Sequence, residues 1–434
     1  MSMAIRNNIT ALRSYNVMSA NQTRAQKSLT KVATGEKINS AQDDSAAYSI
    51  SERMRNRIRS LEQAHRNTQN GHSMILTASQ AVDTITETLR SLKEKAINAA
   101  NDANTDEDRK TIQKEVDQLI DQIDDTALVT FNGKYLVDNT KNNASTATKT
   151  ILLNQGLDKS TALGDNLSAL KNRVGDSLGI TTDDKYQVSW VINGKTSTTT
   201  GDANGTTLQD LLEAPGSGNV TAAAVAAETS AGTDKHGLDV YTPDKTEGIT
   251  ISTVTPGVKD QLAGFTVSIT DSNGNVRSTA NAALNQFSEL QRGEIQTEDL
   301  SLNFQVGAEA NVATRIALTD MRAAALGLRG SDNQTLSVKT KDDANAAINV
   351  IDNAIKKVAD QQAALGALVA RLDYTAENLT TSFTNDKASE SGMRDADMAR
   401  EITNYTLDNI RVQSSQAMLV QANQQPENVL ALLR

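Results

Sequence analysis

Two stretches of the chain repeat apolar residues at alternating steps of three and four. In the first, Ile75 is followed by Val82, Ile85, Leu89, Leu92, Ala96 and Ala99. After a polar break, NDANTDEDRK, the rhythm resumes at Ile112, Val116, Leu119 and Ile123. The second stretch is longer: Ile348, Ile351, Ile355, Val358, Gln362, Leu365, Val369, Leu372, Ala376, Leu379 and Phe383, with Gln362 its only polar member. A mean step of 3.5 with a narrow seam is the pattern of helices that supercoil on one another; a helix lying on a globular core shows a wider stripe at 3.6. The spacing therefore predicts a long antiparallel coiled-coil rod built from both arms of the chain, a mainly α fold.

At the two ends the pattern thins. Ile5, Ile9, Leu12, Leu29 and Val32 stand in Asn-, Ser-, Gln- and Ala-rich surroundings, and the C-terminal segment carries Ile402, Ile410, Val412, Leu419, Val429, Leu430, Leu432 and Leu433. Neither stripe is bulky enough to hold a helix alone in water. Each end needs a partner, either the other end or neighbouring copies, and is expected to be largely disordered in the monomer and to become helical on polymerisation. A chain of this kind is a polymer subunit in outline.

The middle has a different texture. Residues 141–300 hold 16 of the 24 glycines and three of the four prolines, Pro215, Pro243 and Pro256. YQVSWVINGKTSTTT (186–200) alternates, turns at Asn193–Gly194 and alternates again, which is a hairpin signal. GITISTVT (248–255) and GFTVSITDSNGNV (264–276) repeat the style. TALGDNLSALKNRV (161–174) and AAAVAAETS (222–230) are expected to be short helices. The middle is thus an inserted α+β domain, joined to the rod at a turn and expected to be removable. It carries 19 acidic against 12 basic residues, most of the chain's formal charge of −10.

That acidic balance speaks against general nucleic-acid binding. With no cysteine there is no disulfide, thiol nucleophile or thiolate metal site, and the three histidines form no HExxH pair. His65 and His72 share a helix face without a third ligand. GDANG (201–205) and TDSNGNV (270–276) have calcium-loop letters but hairpin-turn spacing. Asp43–Asp44, Asp124–Asp125 and Asp183–Asp184 read as solvated helix ends or turns. No catalytic, cofactor or metal site is expected, and the chain does not read as an enzyme. MSMAIRNNITALRSYN has neither the apolar core nor the small-residue cleavage site of a Sec signal, and no run of eighteen apolar residues predicts a membrane helix.

Several blocks resemble bacterial flagellin, in family order. Residues 38–44 (INSAQDD) resemble the segment after the family's first terminal helix. Arg66, Asn67, Asn70 and Gly71 match its RN..NG pattern, and residues 131–133 its FNG turn. Residues 305–308 (QVGA), 318–328 (LTDMRAAALGL), 395–399 (DADMA), 421–426 (QANQQP) and 429–434 (VLALLR) match the blocks that follow. In many relatives QVGA comes soon after FNG; here the whole of 141–300 intervenes, so the outer domain leaves directly after FNGKYLV.

The resemblance implies that residues 1–45 and 394–434 pair as an inner tube, 46–140 with 301–393 as the rod domain, and 141–300 as a variable surface-exposed outer domain. It implies a structural subunit that is secreted and self-assembles into the extracellular flagellar filament for motility. The implied partners are a flagellin export chaperone, the flagellar type III export apparatus, and the hook-associated proteins and filament cap, with no nucleic acid and no membrane. Alternatives are a hook–filament junction protein, an enzyme displayed on the filament, or a filament whose insert is adhesive or glycan-carrying. FNG, QVGA and ALGL favour flagellin.

The resemblance also implies a face for Toll-like receptor 5. Relatives sensed by that receptor carry a stretch resembling LQRVRELAVQ where this chain has LRSLKEKAIN (89–98). Leu89, Leu92, Glu94, Ala96 and Ile97 keep the pattern, and Glu115 matches a supporting acid. Ser91 stands where the family has an arginine and Lys95 where it has a leucine, so receptor binding is expected to be weak.

Overall fold

The computed structural model describes residues 8–141, 144–216 and 219–432, with side chains in the last helix as far as residue 425. Its helices are α1 (Ile9–Thr34), α2 (Ser45–Ala99), α3 (Asp106–Ala127), α4 (Leu208–Leu212), α5 (Ser278–Leu284), α6 (Lys341–Arg394) and α7 (Met398–Leu432). Two compact units result. One comprises residues 1–68, 305–312 and 374–434, the other residues 69–304 and 313–373, so α2 and α6 each contribute to both.

In the first unit, Leu61 and Ala64 of α2 pack on Leu379 of α6, with Ala308 and Phe383 against them. The side-chain amide of Asn67 donates to the carbonyl of Gln305 at 3.1 Å, which ties the RN..NG pattern to QVGA. Gly35 ends α1 in the left-handed conformation, φ 73°, that glycine adopts without a Cβ penalty. Asp43 then accepts the backbone N–H groups of Asn39 and Ser40 at 3.2 and 3.1 Å, and Asp44 caps α2 by accepting from Ala46 and Ala47 at 3.0 and 2.9 Å. The INSAQDD block is a turn and a helix cap.

A charge cluster fastens this crossing. Lys37 donates its backbone N–H to the carbonyl of Arg394 at 2.7 Å, and Ala396 to that of Gly35 at 2.8 Å. The Arg394 side chain, only 6% exposed, donates to Glu36 at 2.9 Å and Glu52 at 2.7 Å and stacks 5.4 Å from the Tyr48 ring. Arg55 binds Glu36 as well and reaches the buried Glu390 at 2.9 Å. Burial alone would raise the Glu36 carboxyl, but the hydrogen bonds and charges of Arg55 and Arg394 outweigh it and hold Glu36 below the usual glutamate range.

In the second unit the seam of α2 is present as spaced, whereas in α6 one of the two expected heptad lines is, and Ile348, Ile355 and Val369 are half-buried with Ala347, Ala354 and Gln361 buried instead. Ile75, Val82, Ile85, Leu89, Leu92, Ala96 and Ala99 are fully buried in α2, and Ile351, Val358, Leu365 and Leu372 are buried every seventh residue in α6. Gln362 stays at the surface and reaches across to Asp83. The expected seam of α3 shifts. Arg109, Gln113, Val116, Ile120, Ile123 and Ala127 are the buried positions, leaving Ile112 and Leu119 half-buried. The shift has a polar cause. Arg109 closes the end of α2 by donating to the carbonyls of Ala99 and Asn101 at 2.9 and 3.0 Å. Gln113 donates to Leu336 at 2.9 Å and accepts from Val338 at 2.6 Å.

The insert supplies most of the strands. Before it, β1 (Thr130–Phe131) and β2 (Lys134–Tyr135) form the FNG hairpin. Within it, β3 (Ile151–Asn154), β6 (Val220–Val225), β9 (Gly248–Thr253) and β11 (Phe287–Gln291) make an antiparallel sheet in the order β11-β3-β9-β6, and β4 (Lys185–Ile192), β5 (Lys195–Asp202) and β10 (Leu262–Thr270) a second in the order β10-β4-β5. β7 (Ser230–Thr233) pairs with β8 (Asp239–Tyr241). After the insert, β12 (Leu302–Gln305) pairs with β13 (Ala313–Ile316). A common aliphatic core joins the two larger sheets, with Phe265 set edge-on to Phe287 at 5.2 Å.

The two expected short helices did not form. AAAV is part of β6, because pairing Ala222 with Ile251 and Ala224 with Ile249 of β9 outweighs alanine's helix propensity. In 161–174 only Leu167–Ala169 coils, as a single 3₁₀ turn that sends Leu167 and Leu170 into the core. In two of the acidic pairs one member is drawn inward while Asp125 and Asp183 stay exposed. Asp184 is buried and holds Arg277 and Thr181; Asp124 accepts from the backbone of Ala323 at 2.7 Å and binds Arg329 at 2.7 Å.

Nor does the insert hang from a bare turn. The β4–β5 hairpin tip, Asn193 and Gly194 with φ of 54° and 71°, docks on the loop around Gly330, where Ser331 donates to the Asn193 side chain at 2.5 Å. Gly264 of β10 lies against Val350 of α6, and Asn353 donates to the carbonyl of Ala263 at 3.0 Å.

A methyl group at residue 330 would sit 1.9 Å from the Asn193 carbonyl oxygen, backbone against backbone. Gly330→Ala is therefore expected to destabilise this unit by about 1–3 kcal/mol in denaturant unfolding. In the first unit, Arg394→Met leaves Glu52 without its hydrogen-bonded partner and Glu36 held by Arg55 alone, and is expected to cost about 1–3 kcal/mol by the same measurement. The Glu36 contribution is present above the ordinary glutamate range, because its folded pKa lies below the unfolded one. It is lost as pH falls from that range through the lowered folded pKa, so an acid titration of the wild type should lose more stability there than one of Glu36→Gln.

Candidate functional site

The first and last helices lie antiparallel, and their contact follows heptad spacing on both sides. From α1 it takes Ala11, Ser14, Met18, Asn21, Ala25, Ser28 and Val32; from α7, Glu401, Tyr405, Asp408, Val412, Ser415, Leu419 and Ala422. Asn8 caps α1 by accepting from the Ala11 N–H at 3.0 Å and donates to the carbonyl of Ala422 at 2.9 Å. Asn21 donates to the Ser415 hydroxyl at 2.7 Å, and Ser28 donates to Asp408 at 3.1 Å. The most buried positions of the seam, Asn21, Ala25, Asp408, Ser415 and Ala422, are small or polar, and half-buried Met18, Val32, Tyr405, Val412 and Leu419 lie between them.

The large side chains point the other way. Leu12 is 63% exposed, Met418 63% and Ile410 56%; Ile9, Tyr15, Val17, Leu29, Ile402, Leu407 and Val420 are exposed beside them. A helix pair in water ordinarily shows the reverse, apolar inward and polar outward. Of the candidate polymerisation residues, Val32 and Leu419 lie half-buried at the seam, while Ile9, Leu12, Leu29, Ile402 and Ile410 project outward. Ile5, Val429, Leu430, Leu432 and Leu433 lie outside the residues whose side chains are described. The sequence stripes marked the outward residues together with Val32, Val412 and Leu419 of the seam; its small and polar members, spaced 3-4-3-4 with these, carried no apolar signal.

The candidate receptor face is divided by burial. Leu89 and Leu92 are fully buried in the seam of α2, while Ser91 and Glu94 are exposed. Lys95 is half-buried and its ammonium lies 2.5 Å from the Glu115 carboxylate of α3, so the residue replacing the family's leucine is held in an ion pair. No helix among the described residues is long and apolar enough to cross a membrane.

The match to known proteins runs from end to end. The family model for the N-terminal helical region of bacterial flagellin covers residues 5–142, and that for its C-terminal helical region residues 348–433. The flagellin of Clostridium tyrobutyricum is 31% identical over 426 residues, 98% of this chain and all of that one. The flagellin of Bacillus subtilis (strain 168) is 28% identical over the full length of both chains. A solved flagellar hook associated protein-3 from Legionella pneumophila superposes over 79% of this chain and 98% of its own at 14% identity, with a TM-score of 0.35 that carries no weight beside these. With both helical ends matched and a full-length relative at this identity, the chain belongs to the bacterial flagellin family, the structural subunits of the flagellar filament.

Proposed function

We propose that this filament subunit assembles through the outward faces of α1 and α7, with residues 1–45 and 394–434 as its inner tube, 46–140 and 301–393 as its rod domain and 141–300 as its solvent-facing outer domain. The observation that carries the reading is the inverted helix pair: a polar seam inside and Leu12, Ile410 and Met418 outside. Apolar surface of that extent is stabilised when other copies cover it, at about 25 cal/mol per Å² removed from water. The role is structural and not catalytic. Before export, the exposed α7 face is the surface for a flagellin export chaperone, and the N-terminal segment is the signal read by the flagellar type III apparatus. The finished filament, outside the cell, meets the hook-associated proteins at its base and the cap at its tip.

Seeded growth followed by electron microscopy tests this. Wild-type protein should give long filaments, whereas a hook–filament junction protein would give short capped oligomers. Deleting residues 429–434, or combining Leu12→Ser with Ile410→Ser, should abolish elongation while the circular dichroism of the coiled-coil helices persists. Normal polymerisation of both variants would refute the assignment of these faces.

Engagement of Toll-like receptor 5 is proposed to be weak. With Leu89 and Leu92 buried, the face presents Ser91, Glu94 and the Lys95–Glu115 pair. Ser91 offers no guanidinium fork, and Lys95 must be desolvated on docking. Two lost anchors amount to about 2–4 kcal/mol, or roughly 30- to 1000-fold in affinity. Dose–response curves of monomer on receptor-bearing cells should show low potency, raised by Ser91→Arg with Lys95→Leu; wild-type potency equal to that of a strong agonist would contradict the reading.

A further inference from the structure

In the second unit, where α6 passes under residues 317–325, a cavity of about 170 Å³ opens beside the end of the insert at residues 294–297. Lys357 of α6 lines it. Its side chain is buried, and its ammonium donates to the carbonyl of Ala325 at 2.6 Å. An ammonium carries three N–H donors, and among the described residues Lys357 has no second acceptor. A buried charge with unspent donors is costly, since each lost interaction with water is uncompensated.

The wall adds positive charge with capacity to spare. Arg322 directs Nε and Nη2 to Asp320 at 3.0 and 2.8 Å, which occupies that carboxylate. Lys235 lies 3.9 Å from Glu294, too far for a hydrogen bond. The lining thus holds three cations against two carboxylates, one of which is already committed. The space admits an ion of a few heavy atoms.

We propose that this cavity is a binding site for a small oxyanion, a short-chain carboxylate or inorganic phosphate, whose oxygens accept from the Lys357 ammonium and whose charge is shared with Arg322 and Lys235. The charges around Lys357 are of both signs. Burial and the nearby Arg292 pull the Lys357 amine below the ordinary lysine range, while Glu289, Glu294 and Asp320 oppose them. A bound anion stabilises the protonated amine, so binding should weaken as pH rises and Lys357 loses its proton.

The test uses the full-length monomer at constant ionic strength, with sodium acetate and sodium phosphate as separate probes against sodium chloride. Isothermal titration calorimetry should show saturable binding of at least one probe. The ¹⁵Nζ resonance of Lys357 in selectively labelled wild-type protein should shift over the same concentrations. Acetate alone would identify a carboxylate site, phosphate alone an inorganic one. Lys357→Met, which removes a buried charge while keeping an apolar stem, should weaken binding roughly tenfold or more, and Arg322→Gln by a smaller factor. Absence of saturable binding by either probe, a Lys357 resonance that does not move, or unchanged affinity in Lys357→Met would overturn the proposal and leave a cavity filled by water only.

Discussion

Asn21 meets Ser415, Ser28 meets Asp408 and Ala25 lies buried among them along the contact of α1 with α7. Side chains this small let the helices approach closely, yet they remove little apolar area from water. What the pair lacks in hydrophobic stabilisation is carried on its outer faces, where Leu12, Ile410 and Met418 have no cover within the chain. A subunit that satisfied its own helices would have nothing left to offer a neighbour. The hydrogen-bonded seam fixes the pairing and register of the two ends, and the apolar exterior is the face that the proposed assembly would cover.

Such an arrangement needs the crossing next to it to be held independently of assembly. Hydrogen bonds and charge do this at the INSAQDD turn. Asp43 and Asp44 spend their carboxylates on backbone N–H groups, and Arg394 and Arg55 bind Glu36, Glu52 and Glu390 in a partly buried cluster. Directional contacts suit a place where the chain changes direction and little apolar area is available. The second unit uses the opposite means: fully buried Leu, Ile and Val at heptad positions, with Arg109 and Gln113 placed where a helix end and a loop need donors.

The insert belongs physically to the second unit. Its hairpin tip meets Gly330 backbone to backbone, its β10 strand lies on α6, and Arg292 reaches Asp360 of α6 at 3.0 Å. Ser145 and Thr297 pair at its root and Lys141 accepts from Leu318 at 2.9 Å, so both crossings are stitched to the core. Glycine at 264 and 330 is what allows these approaches.

The sequence by itself determined the elements whose signal is local and periodic. The heptads of α2 and α6, the Asn193–Gly194 hairpin, the family motifs and the apolar deficit of both ends follow from residue spacing, because a helix or hairpin repeats its own environment along the chain. Tertiary structure decided what depends on partners distant in sequence. It turned AAAV from a helix into a strand paired with β9, moved the α3 seam onto Arg109 and Gln113, paired Asp124 with Arg329 and buried Asp184 against Arg277. It also placed Leu89 and Leu92 inside and Ser91 outside, and closed a cavity over Lys357. Propensity and spacing describe a residue's neighbours along the chain; burial and charge pairing are set by neighbours brought across space, and no local pattern encodes them.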